Sequence, residues 1–106
     1  MVGNTGVYEA IEKAVKTVDE CAGDVIKAAH GAGCDVLVIA DHGNADMAVN
    51  PDGSPNTAHS LNPVPSILVS DHYKKIREGS LADVAPTLLT IMGVAIPKEM
   101  TGKVLV

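Results

Sequence analysis

The sequence predicts an α/β domain with a short, mostly parallel sheet packed with helices. Three observations carry that prediction. An apolar run at residues 36–40 stops abruptly at Asp41-His42-Gly43, a second short apolar run spans 66–70, and apolar residues at helical spacing precede and follow the pair. A β-branched run of this length suits a strand buried on both faces, as in the parallel sheets of α/β proteins. In such sheets functional groups gather just past the carboxyl ends of the strands. Here an acid, an imidazole and a glycine able to turn sharply stand at that place.

Each element follows in order. Thr5 can cap a first helix, with Glu9 near its first turn. Val7, Ile11, Ala14, Val15, Val18, Cys21 and Ala22 form its apolar stripe, and Glu12, Lys13, Lys16 and Asp19 its wet side. Gly23-Asp24 predicts a break or kink before a second helical piece that His30 and Gly31 close. The strand at 35–40 comes next. Residues 50–56 are dense in turn formers and read as an exposed excursion. Pro63 and Pro65 sit where a strand begins but cannot continue, ahead of the run at 66–70. A last helix spans 81–92, capped by Ser80 or Asp83, with Pro86 tolerated in its first turn and Gly93 ending it. Val104-Leu105-Val106 reads as an edge strand.

At 106 residues the chain suits one domain, residues 1–106, with enough length for a core. Phe and Trp are absent and there are two Tyr, so Ala, Val, Ile, Leu and Met must build that core. A net charge of −5 lacks the footprint of a nucleic-acid binder. No apolar stretch reaches the roughly 18–20 residues of a membrane span, and none opens the chain as a signal peptide would. Cys21 and Cys34 lack the density of a disulfide scaffold and the spacing of a zinc ribbon, and read as reduced structural thiols. A cytoplasmic location is therefore expected.

Carboxylate oxygen and imidazole nitrogen both suit manganese or zinc. Asp41 and His42 would point to opposite faces of a regular strand, but past its end, with Gly43 turning the chain, both can converge on one site or straddle two. The turn-rich loop can bring His59 back to them, and Asp46 is a further oxygen donor nearby. The competing reading of these residues is a polar loop of ordinary capping groups. A second Asp-His pair, Asp71-His72, is followed by Lys74 and Lys75, whose charge is unhelpful beside a cation, and reads as a turn. No serine lies in a Gly-x-Ser-x-Gly elbow. Gly31-Ala32-Gly33 precedes a strand, the reverse of a dinucleotide-binding turn.

Several blocks together carry a family resemblance. The segment Val38-Ile39-Ala40-Asp41-His42-Gly43-Asn44-Ala45-Asp46 resembles one of the cofactor-independent phosphoglycerate mutases, members of the alkaline phosphatase superfamily. Thr57-Ala58-His59-Ser60-Leu61-Asn62-Pro63-Val64-Pro65 is similar to that family's second metal-ligand loop. Residues 79–89, Met92-Gly93 and 97–103 resemble its C-terminal signature, and residues 1–6 its helix-opening segment. The resemblance implies that the chain is a C-terminal part of a phosphatase-like metal-binding domain, with a partial alkaline-phosphatase-like core. It implies an isomerase of glycolysis that interconverts 3- and 2-phosphoglycerate through a phosphoserine, with two divalent cations, usually manganese. Asp41 and His42 would ligate one ion and His59 the other.

Departures from the pattern qualify this expectation. Family enzymes are several times longer, and their nucleophilic serine and substrate-clamping domain have no counterpart here. The family's helix-opening segment carries an Asp just before the position of Met1 and a His where this chain has Asn4. Cation sites normally need three or four protein ligands. Weak or absent metal binding and no mutase activity are thus expected of the chain alone. The alternative is a non-catalytic structural or weakly metal-binding module derived from the family. Apolar surface and strand edges uncovered by missing neighbours also predict self-association into a homo-oligomer.

Overall fold

A computed structural model describes residues 7–106. The expected cap at Thr5 and the departure at Asn4 lie outside these residues. The chain forms helix α1 (Tyr8–Gly31), strand β1 (Val36–Val38), a short 3-10 turn (Ala45–Met47) and strand β2 (Ile67–Val69). A second 3-10 turn (Leu81–Asp83) then runs into helix α2 (Val84–Met92). This is a small α/β fold, as the periodicities predict.

α1 runs unbroken through Gly23-Asp24, contrary to the expected kink. Among the described residues, a Cβ at Gly23 would meet nothing within 4 Å. Its penalty of about 1 kcal/mol relative to Ala is easily carried by the 24 residues of this helix. The helix stops where expected. His30 lies in its last turn, Gly33 takes a left-handed φ of 82°, and the His30 Nε2 lies 3.1 Å from Asp71 Oδ1. Asp71 of the second Asp-His pair is thus engaged by the end of the helix.

The sheet differs from the expected parallel arrangement. β1 and β2 pair antiparallel, with Val36 opposite Val69, Leu37 opposite Leu68 and Val38 opposite Ile67. A parallel pair needs a crossover, usually a helix. Residues 39–66 instead contain loops and one 3-10 turn, so the chain returns alongside β1 in the opposite sense. β1 is also half-buried rather than enclosed on both faces. An open apolar groove of about 500 Å³, lined by residues such as Val18, Val25, Leu37 and Ile39, runs between α1 and β1.

The expected core is correspondingly thin. Among the described residues, Ile11 and Leu105 are the buried large hydrophobics. The accessible surface is 7804 Å², against about 5,600 Å² expected for a compact monomer of this mass.

The most tightly built part is residues 79–106. Ser80 and Asp83 form a capping box before α2, where a carboxylate and the orphan N–H groups satisfy each other. The Asp83 carboxylate accepts the Ser80 N–H at 2.8 Å and the Lys103 N–H at 2.7 Å. These backbone donors, Ser80 first, hold its carboxyl below the ordinary carboxylate range. Thr87, fully buried, donates its hydroxyl to the Asp83 carbonyl at 2.7 Å and accepts the Leu105 N–H at 2.9 Å. Pro86 lies in the first turn of α2 and Gly93 ends it with φ 73°. The C-terminal segment expected as an edge strand is instead an irregular strap. Its hydrogen bonds go to Thr87 and Arg77 rather than to a neighbouring strand.

Candidate functional site

β1 delivers the chain into an irregular corner at Asp41, His42 and Gly43. Gly43 is buried and forms an isolated antiparallel bridge with Ser60. A Cβ at Gly43 would collide with Ser60 Oγ and lie 2.7 Å from Asp46 Oδ1. Glycine therefore serves close approach to these side chains, its φ not being positive. The bridge carries the returning loop back to the end of β1.

That return brings two of the expected residues together. The imidazoles of His42 and His59 stack with ring centroids 3.6 Å apart and planes inclined by 7°. The Nδ1 of His42 lies 2.9 Å from the Gly43 carbonyl oxygen. A carbonyl can only accept, so Nδ1 carries the proton and a neutral ring presents Nε2 as a lone-pair donor. The same carbonyl accepts the Ser60 N–H at 2.7 Å. Asp41 Oδ1 stands 3.7 Å from His42 Nε2, with its side chain 84% exposed. That separation is too long for a direct hydrogen bond.

Asp46 is placed differently from its reading as a spare oxygen donor. Its Oδ2 accepts the Ser60 hydroxyl and the Asn62 amide, each at 2.8 Å. Asn62, then Ser60, hold the Asp46 carboxyl below the ordinary carboxylate value. Asn44 adds a bond from its side-chain amide to the Ala58 carbonyl at 3.1 Å. Further out, buried Asn56 donates to the Met47 carbonyl at 2.7 Å and accepts the Ala58 N–H at 3.1 Å. The partnership of Ser60 and Asn62 with Asp46 was not expected from the sequence. A signal existed, because residues two apart in an extended segment share a face, and both carry donors.

Asp41, His42 and His59 are of the residue types that cation sites use. One carboxylate and two imidazoles offer the oxygen and nitrogen ligands that zinc and manganese accept. Among the described residues, however, no group of three or more His, Cys, Asp or Glu is placed to hold one metal ion. The residues fit partial coordination and do not form a closed site. Asp71-His72 forms no second candidate, since Asp71 faces His30. Among the described residues no helix is long and apolar enough to cross a membrane.

Comparison with known proteins agrees with the resemblance in the sequence. The chain is 58% identical over its full length to a 2,3-bisphosphoglycerate-independent phosphoglycerate mutase of Bacteroides thetaiotaomicron, covering 21% of that protein. It is 59% identical over 96% of its length to the enzyme of that name from Bacteroides fragilis, covering 20%. Against the Clostridium acetobutylicum protein of the same name it is 50% identical over 97% of its length, covering 21%. The chain therefore spans about a fifth of the length of the curated relatives it matches. The family model of the Metalloenzyme superfamily matches residues 1–96, and the chain belongs to that superfamily.

Proposed function

We propose that this chain is the part of a phosphoglycerate mutase's phosphatase-like domain that supplies Asp41, His42 and His59 to a pair of cation sites. Asp41 and His42 would hold one ion and His59 the other, with manganese the expected metal. The observation that carries the reading is the stacked His42–His59 pair at the end of β1, with the His42 Nδ1 turned to the Gly43 carbonyl. Metal-bound imidazoles commonly donate their other nitrogen to a backbone carbonyl in this way. The 3.7 Å between Asp41 Oδ1 and His42 Nε2 supports a shared ion. Two donors each about 2.0–2.2 Å from one ion sit roughly 3.4 Å apart at a tetrahedral angle.

Cations held at such a site supply Lewis-acid charge to phosphoryl oxygens and to an attacking hydroxyl. The residues of this chain set the geometry. Gly43 brings the two histidine-bearing segments together, its carbonyl selects the His42 tautomer, and Asp41 leaves an exposed anionic oxygen beside Nε2. The serine that would carry the phosphoryl group between the hydroxyls of 3- and 2-phosphoglycerate belongs to the remaining four-fifths of the enzyme. The chain alone is inactive on this reading, and its open apolar surface drives self-association.

Manganese titration followed at the four histidine resonances tests the assignment. His42 and His59 broaden first, while His30 and His72 serve as internal controls. Equal broadening of all four, or broadening led by His30 or His72, overturns the assignment, and no broadening by the chain alone favours the non-catalytic module. Measurable interconversion of 3- and 2-phosphoglycerate by the purified chain would overturn the prediction of inactivity.

A further inference from the structure

The position of His59 is set by its neighbours. The 58–62 segment is fastened by four contacts to residues 43–46. The Ser60 N–H meets the Gly43 carbonyl at 2.7 Å, and the Asn44 amide meets the Ala58 carbonyl at 3.1 Å. The Ser60 hydroxyl and the Asn62 amide meet Asp46 Oδ2, both at 2.8 Å. Two of the four therefore converge on one carboxylate oxygen. The Ser60 oxygen also accepts the Asn62 N–H at 3.3 Å, which closes a small ring of bonds around Leu61. Leu61 points fully into solvent, as expected when the residues on either side of it turn their side chains to a common partner. Ser60 itself is buried.

We infer that Asp46 is a positioning residue whose carboxylate grips Ser60 and Asn62 and thereby holds the His59 imidazole face to face with His42. Charge-assisted hydrogen bonds are roughly twice as strong as neutral ones, so this grip outweighs the amide-to-carbonyl bond made by Asn44. Asp46 is not a spare cation ligand. Its Oδ2 is filled by two donors, and its Oδ1 faces Gly43. Coordinating an ion through Oδ2 would release the loop that carries His59.

This inference deepens the cation-site reading but is tested independently of metal. In the metal-free chain, stacked imidazoles give a nuclear Overhauser contact and upfield ring-current shifts between His42 and His59. In Asp46→Ala both signatures disappear, while the His30 and His72 resonances stay in place. Asp46→Asn, which keeps one acceptor oxygen, restores part of the signature. With manganese added, the apparent affinity at His59 falls by about 10–100-fold, the range for losing an outer-shell partner of a ligand, and His42 is affected less. Should Asp46→Ala fail to fold, the Ser60→Ala/Asn62→Ala pair removes both donors with the carboxylate intact and must also lose the stack. A stack that persists in Asp46→Ala or in the double variant overturns the inference. Wild-type protein in which His30 or His72 responds to manganese before His42 and His59 overturns the cation assignment instead, and leaves the metal-free comparison standing.

Discussion

Residues 79–106 are built on α2 and residues 41–62 hold one 3-10 turn; each is drawn together by one aspartate, but the donors differ. Asp83 binds the backbone N–H groups of Ser80 and Lys103, and its carbonyl is capped by the buried Thr87 hydroxyl. Asp46 binds the side chains of Ser60 and Asn62, and the imidazoles beside it are exposed. A backbone donor cannot leave unless the chain moves, whereas a side-chain donor leaves by rotating. The first region is therefore a fixed platform. The second is an adjustable grip on groups that face outward.

Substitutions can break that contrast, and the largest effect is expected at Gly102. A Cβ there would collide with the backbone carbonyl oxygen of Ala82 and lie 2.8 Å from its carbon. Backbone cannot swing aside, so Gly102→Ala costs stability at or above the upper end of the about 1–3 kcal/mol typical of overpacking. Urea unfolding monitored by circular dichroism checks this. Thr87→Val follows. It preserves shape but strands the Leu105 N–H, a loss of about 1–3 kcal/mol in the same assay.

Acid titration gives the next effect. The Asp83 carboxyl is held below its unfolded value of 3.8, so its contribution is fully present above that pH. It drains away as pH falls through the lower folded value. The urea midpoint of the wild type thus declines below about pH 4. Asp83→Asn removes part of that decline, the rest belonging to Asp46 and Asp52, which are shifted in the same direction.

Gly43→Ala sharpens the comparison from the other side. Its Cβ would meet side-chain atoms of Ser60 and Asp46, which can give way. The His42–His59 stack is lost, as read by imidazole proton shifts, while global stability changes by about 1 kcal/mol or less. The smallest effect is expected for Asp71→Asn. Its partner His30 is 47% exposed and Asp71 itself 79%, so the change stays within about 0.5 kcal/mol in the unfolding assay.

The same contrast explains what could be read from the sequence. The last helix, Ser80 or Asp83 as its capping residue, Pro86 in its first turn and the Gly93 stop were all legible, because each depends on chemistry within a few residues. The meeting of the two histidine segments was legible as a possibility from Gly43 and the turn-rich loop. The antiparallel sheet was not, because apolar runs give strand position and not direction; direction follows from residues 39–66 forming no crossover helix. The thin core was also missed. Apolar spacing along α1 records a face meant for burial, yet Val18 and Val25 remain exposed. The role of Asp46 escaped because its partners are distant in sequence and identifiable only once the loop closes.

The Gly43 carbonyl has a further consequence. One oxygen receives both the His42 ring proton and the Ser60 amide, so the tautomer of one histidine and the docking of the other share a single acceptor. The nitrogen chemical shifts of His42 therefore serve as a built-in gauge of whether the distant loop is seated. Any segment, ion or substitution that unseats the loop is registered there before the fold itself changes.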